Sequence, residues 1–148
     1  MLVVERIFPV RSEVLFRAFT EPERLANWFA PEGWRVQRDS VEIDPRPGGR
    51  FRHVKLREGE PERSWTIEGV YTELFEPDVI VTRQRVIGVP GIDPERSVEL
   101  RLEFTRTGRD DTLLRVVQGP YTSEAAVDYS DGWESMLDTL TAQLRGPA

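Results

Sequence analysis

Apolar side chains recur every three or four positions near the end of the chain, over residues 123–144. Together they make one continuous stripe: Ala126, Tyr129, Trp133, Met136, Leu137, Leu140 and Leu144. Such a stripe is typical of an amphipathic helix, whose buried face has a period of 3.6 residues. Asp131, Glu134 and Asp138 fall on the opposite face. We therefore predict a long helix from about Ser123 to Leu144, packed through the face that contains Trp133.

The start of the chain predicts one strand followed by two short helices. Residues 2–8 are predicted to form a short strand that Pro9 ends, and residues 12–20 place their apolar positions on one helical face. Thr20 and Glu23 have the spacing of a capping box, which predicts that a second short helix begins there and includes Leu25 to Phe29.

Between these helical ends the hydrophobic period changes to two, as in half-buried strands. The predicted strands cover residues 34–43, 50–56, 65–75, 79–87, 98–104 and 112–118. Turns rich in Pro, Gly and Asp separate them, and no helical pattern intervenes, so we predict an antiparallel meander. With the first strand, this gives a curved sheet of about seven strands in an α+β protein. We expect residues 1–148 to form a single domain.

Alternation also assigns side chains to the inner face of the predicted sheet. The inward sets are Phe51, His53 and Lys55; Trp65, Ile67 and Tyr71; Leu100, Leu102 and Phe104; and Thr112, Leu114, Val116 and Gln118. Gly132 interrupts the long helix at a cost of about 1 kcal/mol relative to alanine. That cost predicts a place where the helix packs closely against the rest of the protein.

Composition excludes several functions. A net charge of −6 argues against nucleic acid as a partner, because phosphate is bound mainly by clustered Lys and Arg. The chain has no cysteine and one histidine, so we expect no zinc site, no metal and no cofactor. No apolar stretch is long enough for a membrane span, and the start turns charged too early for a secretory signal. The expected location is cytoplasmic.

Four segments together resemble a known family. They are VRSEVLFRAFT at residues 10–20, RPGGRF at 46–51, EGVYTELFEP at 68–77 and GWESMLDTL at 132–140. Their order and spacing are similar to those of the START-like (SRPBCC) superfamily, and most of all to bacterial homologues of the activator of the heat-shock chaperone ATPase. The resemblance implies the helix-grip fold, in which the terminal helix closes over the sheet. Many relatives have histidine where this chain has Gln118 and Tyr129.

The resulting hypothesis is a non-enzymatic protein that holds a small apolar or amphipathic molecule between the sheet and the terminal helix. The candidate ligand-binding residues are Trp28, Phe51, His53, Trp65, Tyr71, Leu102, Phe104, Gln118, Tyr129, Trp133, Met136 and Leu137. An apolar pocket with a few polar groups is the usual composition of such a site. The alternative is that these side chains pack to native density and leave no space.

Two other functions remain open at this point. The resemblance implies a module that interacts with a chaperone, and a cofactor-free cyclase or hydrolase could use His53 or Tyr129 for proton transfer. His53 could equally be a core histidine whose ring nitrogens are satisfied by backbone or water. A homodimer is plausible for a domain of this size, although no interface can be located from the sequence.

Overall fold

The computed structural model describes residues 1–89 and 92–145. Its elements, in chain order, are β1 (Leu2–Phe8), α1 (Ser12–Thr20), α2 (Pro22–Leu25), β2 (Trp34–Val36), β3 (Glu42–Ile43), β4 (Arg50–Arg57), β5 (Glu60–Phe75), β6 (Val79–Ile87), β7 (Val98–Gly108), β8 (Asp111–Gly119) and α3 (Ser123–Arg145). The α+β prediction and the long terminal helix are confirmed.

The strands form one antiparallel sheet in the order β1-β8-β7-β6-β5-β4-β2, with β3 also paired to β4. From β4 to β8 each strand pairs with the next one in the chain, which is the predicted meander. The first strand closes the other side by pairing with the last, from Leu2 opposite Gln118 to Phe8 opposite Thr112. This curved sheet, with two short helices before it and one long helix after it, is the helix-grip fold.

The predicted strand over residues 34–43 is wrong as one element, because it splits into β2 and β3. Val36 pairs with Lys55 and Ile43 with Phe51, so the chain between them has more residues than the facing part of β4. The excess forms a 3₁₀ turn over Arg38–Ser40. The backbone N–H of Val54 donates to the Ser40 hydroxyl at 2.9 Å, which satisfies the strand where its ladder is interrupted.

The predicted capping box is also wrong. Helix α2 has Glu21 at its N-cap and no hydrogen bond from a capping side chain. The hydroxyl of Thr20 instead donates to the carbonyl of Phe16 at 3.3 Å, one turn back in α1. This is the common alternative for a threonine at the end of a helix, and it removes the side chain from the cap. Leu25 and Trp28 are nevertheless buried.

The predicted inner faces of the strands are confirmed. His53 and Lys55, Ile67 and Tyr71, and the three apolar residues of β7 are all buried. The register of β5 shifts only beyond Tyr71, so the alternation from Trp65 to Tyr71 holds. The core between this concave face and the helices includes Phe8, Phe16, Leu15, Leu114, Leu137 and Leu140.

Side-chain hydrogen bonds hold the second half of α3 against the rest of the fold. Arg6 of β1 donates to Asp138 at 2.8 Å and to Glu134 at 3.1 Å. Near the end of the helix, the Gln143 side chain donates to the carbonyl of Asn27 at 2.7 Å. These polar contacts join α3 to both the first strand and the segment after α2.

The first half of α3 is packed differently. None of the residues from Ser123 to Gly132 is buried, whereas Trp133, Met136, Leu137 and Leu140 are. The prediction of close packing at Gly132 is wrong, since a Cβ built there meets nothing within 4 Å. The helix therefore rests on the core through its second half and stands away from the sheet in its first half.

Within the two described ranges, none of the helices combines the length and the apolar character needed to cross a lipid bilayer.

Candidate functional site

An open cleft of about 710 Å³ lies between the first half of α3 and the inner face of the sheet. We call it the α3 cleft. Its floor and walls come from the sheet, from the segment before β2 and from the connection between β6 and β7: Phe29, Pro31, Glu32, Trp34, Lys55, Trp65, Ile67, Gln84, Val86, Val89, Ile92 and Gln118. Its roof comes from α3 and the residue before it: Thr122, Glu124, Ala125, Asp128, Tyr129, Asp131, Gly132, Trp133, Ser135 and Met136.

The inner end of the cleft is fixed by a buried hydrogen bond. The indole N–H of Trp133 donates to the side-chain carbonyl of Gln118 at 2.9 Å. Trp133 also packs edge-on against Phe29, with ring centroids 5.5 Å apart. Trp133 is thus held by a hydrogen bond to Gln118 and by a ring contact with Phe29. Its position sets the distance between the preceding turns of α3 and the sheet.

Trp34 and Trp65 on one side of the cleft and Tyr129 on the other each belong to a stacked aromatic pair. Trp34 and Trp65 stack with centroids 4.9 Å apart and planes 14° apart, which places a flat wall on the β2–β5 side. Tyr121 and Tyr129 stack at 4.5 Å with planes 6° apart, at the start of α3. Aromatic pairs in offset or edge arrangements contribute about 1 kcal/mol beyond their buried area. The cleft thus has rigid apolar walls.

Lys55 lies at the floor of the cleft and is the only lysine of the chain. Its side chain is 3% exposed. The ammonium nitrogen lies 4.0 Å from the sulfur of Met136, 4.6 Å from the ring centroid of Phe29 and 5.6 Å from that of Trp65. No carboxylate pairs with it among the described residues, where every ion pair is made by an arginine. Burial without a counter-ion lowers the pKa of Lys55 to about 7.

Other polar atoms around the cleft also have no partner in the described part of the chain. They are the indole nitrogen of Trp65 and the hydroxyl of Tyr129, both buried. Burial raises the pKa of Tyr129, so its hydroxyl stays protonated at neutral pH and can donate. A buried donor without a partner costs about 1–3 kcal/mol, and a ligand acceptor would remove that cost.

The structure divides the twelve candidate residues among three places. Trp65, Gln118, Tyr129, Trp133 and Met136 line the α3 cleft. Phe51, His53, Tyr71 and Leu102 line a second space of about 50 Å³, which is bounded by β3 to β7 and by side chains of the opening helices and the segment after them. Trp28, Phe104 and Leu137 line neither space and are part of the packed core. The structure thus brings five of the twelve together.

His53 lies outside the α3 cleft. Its side chain is 3% exposed and packs edge-on against Phe29, with ring centroids 5.3 Å apart, and its Nε2 has no partner among the described residues. Burial, and then the charge of Lys55, hold the pKa of His53 well below its usual value, so the ring is neutral. The two groups named for proton transfer are therefore apart, with Tyr129 at the cleft and His53 at the second space.

Sequence reasoning assigned Lys55 to the inner face but did not include it among the binding residues. It also missed Gln84 and Val86, which line the cleft from β6. Their alternation with buried Thr82 was a readable signal. The carboxylates at the opening, Glu124 and Asp128, could not be assigned because they sit on the polar face of the helix pattern.

Side chains that bind metal ions do not cluster in the described part of the chain. No group of three or more His, Cys, Asp or Glu side chains comes together within residues 1–89 and 92–145.

Residues 9–145 match the family AHSA1, described as "Activator of Hsp90 ATPase homolog 1-like protein". The chain belongs to this family. Among curated proteins there is no significant match to the chain.

Solved structures share the AHSA1 fold over nearly the whole chain. A protein from Chromobacterium violaceum is 23% identical, with a TM-score of 0.81 over 95% of this chain and 94% of its own. An AHSA1 protein from Silicibacter pomeroyi is 22% identical, with a TM-score of 0.81 over 97% of this chain and 96% of its own. DynU16, from the dynemicin biosynthetic locus, is 16% identical, with a TM-score of 0.73 over 98% of this chain and 47% of its own.

Proposed function

We propose that this AHSA1-family protein binds a small, largely apolar molecule in the α3 cleft. The observation that carries the proposal is an aromatic-walled space of about 710 Å³ with unpaired polar atoms around it. Sites for small molecules usually enclose about 300–1,000 Å³ and combine apolar walls with a few polar groups that fix orientation. The size and the chemistry of the cleft both fall in that class.

The walls favour a flat ring system in the ligand. The stacked pair Trp34 and Trp65 on one side and Tyr129 on the other present planar surfaces. The indole of Trp65 and the hydroxyl of Tyr129 favour an acceptor, such as a carbonyl or ether oxygen, on that ring system. Ligand binding would then satisfy donors that the free protein leaves unpaired.

A blocking substitution in α3 tests the proposal. Ala125 lines the cleft, whereas Val127, two positions on, is 60% exposed to solvent. We expect Ala125→Phe to weaken binding of the neutral fluorescent probe N-phenylnaphthylamine by about tenfold or more, because the ring takes up cleft volume. Val127→Phe is the matched control and should bind like the wild type. Equal binding by all three proteins would refute a site in the α3 cleft.

Native mass spectrometry gives an independent test on the protein as purified. The intact mass is compared before and after solvent extraction of the folded protein. We expect a small-molecule mass to leave on extraction, and Ala125→Phe to carry less of it than Val127→Phe. A mass that both variants retain equally would place the molecule outside the cleft.

A second candidate function rests on the family match itself. The matching family is described by activation of a chaperone ATPase, so a chaperone of that class is the second proposed partner. Its test is the ATPase rate of the purified chaperone with and without this protein. An unchanged rate at micromolar excess would remove this candidate and leave the ligand proposal unaffected.

A further inference from the structure

We infer that Lys55 condenses reversibly with an aldehyde or ketone group of the molecule held in the α3 cleft, forming an imine. The inference rests on the ligand-binding function proposed above and names the reactive class of that ligand. Its basis is a single primary amine at the floor of an apolar cleft, with no acidic partner to occupy it.

The surroundings of the amine favour its uncharged form. The ammonium nitrogen faces the sulfur of Met136 and the rings of Phe29 and Trp65 at 4.0, 4.6 and 5.6 Å. None of these offers a negative charge, so ionisation loses hydration without gaining an ion pair. At a pKa of about 7, half of the Lys55 amines are neutral nucleophiles near neutral pH. Lysines that attack carbonyl groups are activated by this kind of desolvation.

The carboxylates at the opening lie apart from the amine. Four acidic residues line the cleft, Glu32, Glu124, Asp128 and Asp131, and all are exposed. None lies within 4 Å of Lys55, and burial alone is the cause of its lowered pKa. The negative rim opposes entry of an anionic ligand, which would otherwise be the obvious partner of a buried lysine. A neutral carbonyl compound meets no such barrier.

The titratable groups facing Lys55 come from three elements. His53, on the same strand, is neutral, and its lowered pKa is caused partly by Lys55. The roof contributes protonated Tyr129 with Glu124, Asp128 and Asp131, and the segment before β2 contributes Glu32. From β5 and β6 the cleft receives Trp65 and Gln84, which carry no charge. Since the chain has one lysine, Lys55 is the only primary amine among the residues that line the cleft.

The reaction balances without any further reactant. The nitrogen lone pair of Lys55 attacks the carbonyl carbon and forms a C–N bond, while the carbonyl electron pair moves to oxygen. Proton transfer from nitrogen to oxygen gives the carbinolamine. Loss of the hydroxyl group with a second proton from nitrogen releases one water and leaves the C=N bond.

Reductive trapping tests the inference. Wild-type protein is incubated near pH 7 with naphthaldehyde and cyanoborohydride, and the adduct is located by intact mass and peptide mapping. Because the chain has one lysine, only Lys55 and the N-terminal amine can react. We expect the Lys55 adduct to form at least about tenfold faster in the folded protein than in the guanidinium-unfolded chain, where the amine has its ordinary pKa of 10.5.

Two variants test whether labelling requires the Lys55 amine itself, rather than a positive charge at this position or the N-terminal amine. Lys55→Met keeps the length of the side chain and retains the N-terminal amine, so any label on it is background. Lys55→Arg keeps a cation that cannot form an imine. We expect neither variant to be labelled above that background. If Lys55→Met fails to fold, peptide mapping of the wild-type adduct still decides between Lys55 and the N-terminus.

A non-reacting analogue separates failure of this inference from failure of the proposed function. Naphthyl alcohol has the same ring system without a carbonyl carbon, and its binding is measured by quenching of tryptophan fluorescence. If the alcohol binds in the cleft but the aldehyde leaves no adduct on Lys55, the inference is overturned and the binding function stands. If neither probe binds, both are overturned.

Discussion

At the scale of single residues, the buried indole nitrogens of two tryptophans illustrate how the fold treats polar atoms. The indole of Trp133 has a partner, the side-chain carbonyl of Gln118 at 2.9 Å. The indole of Trp65 has none among the described residues. Natural proteins provide a hydrogen-bond partner for nearly all buried donors, so the unpaired indole nitrogen of Trp65 is an exception. Trp133 therefore helps to hold α3 against the sheet, whereas the indole nitrogen of Trp65 is a buried donor left unpaired in the described part of the chain.

Replacing Gln118 by leucine should destabilise the protein by about 1–3 kcal/mol, because it leaves the indole N–H of Trp133 buried and unpaired. The free energy of unfolding is measured in urea. Trp133→Phe and the double variant complete a thermodynamic cycle. We expect the double variant to lose less stability than the sum of the two single variants. Additive losses would show that this hydrogen bond contributes nothing to folding.

At the scale of elements, α3 has two parts with different roles. Its second part is fastened by Arg6 on β1 and by the buried residues Leu137 and Leu140. Its first part, Ser123–Gly132, covers the cleft and has no buried residue. Regions with few buried contacts open at lower free energy than the core. The first part of α3 can therefore move away from the sheet while the second part stays packed on the core.

Gly132→Ala should raise the free energy of unfolding by about 1 kcal/mol, since alanine is the better helix former and its methyl group meets nothing within 4 Å. Thermal and urea unfolding measure the change. Hydrogen exchange provides the second readout: amides of residues 123–132 should exchange faster than those of residues 133–145 in the wild type, and alanine should narrow that difference. A loss of stability would mean that the open space at Gly132 is occupied in solution.

At the scale of the whole molecule, one unpaired charge affects the equilibrium of folding. The chain has a net charge of −6, yet Lys55 is buried away from every carboxylate in the described ranges. Its pKa is about 7 in the folded protein and 10.5 in the unfolded chain. Between these values the unfolded state binds more protons, so stability rises with pH. Below about pH 7 the amine is charged in both states, and its full burial cost is present.

This linkage predicts that Lys55→Met is more stable than the wild type at pH 7 and that the difference shrinks by about 2 kcal/mol at pH 9. Urea unfolding at both pH values measures it. His53→Gln is the control, because His53 is neutral in the folded protein and mostly neutral in the unfolded chain over this range, so its loss should change the slope little. A constant difference between wild type and Lys55→Met would mean that Lys55 titrates alike in both states.

Much of the fold could be predicted because it depends on local periodicity. The two-residue alternation placed Phe51, His53 and Lys55 on one face, and the stripe around Trp133 placed the helix. The 3₁₀ turn at Arg38–Ser40 could not be predicted in this way. It arises because two short strands share one long partner, and this mismatch is visible only once β4 is in place.

The candidate site was less predictable, again for a physical reason. Alternation states which face a side chain is on, but not how far the next layer lies from it. Leu137 and Met136 are neighbours on the same helix, yet only Met136 lines the cleft. Whether a side chain packs in the core or lines the cleft depends on the distance between α3 and the sheet. That distance is set by the contact between Trp133 and Gln118, which is far in sequence from the strands on the other side of the cleft.

The division of α3 also bears on how such a protein can evolve. No residue of 123–132 is fully buried, and the apolar ones that pack against the core are Ala126 and Tyr129, so substitutions elsewhere in this segment have a small cost in folding free energy. Mutations there can change the shape and polarity of the cleft without bringing the protein close to its stability threshold. The fold is retained in structures only 22–23% identical to this chain. One end of the helix preserves the architecture, and the other supplies a surface on which new specificities can be selected.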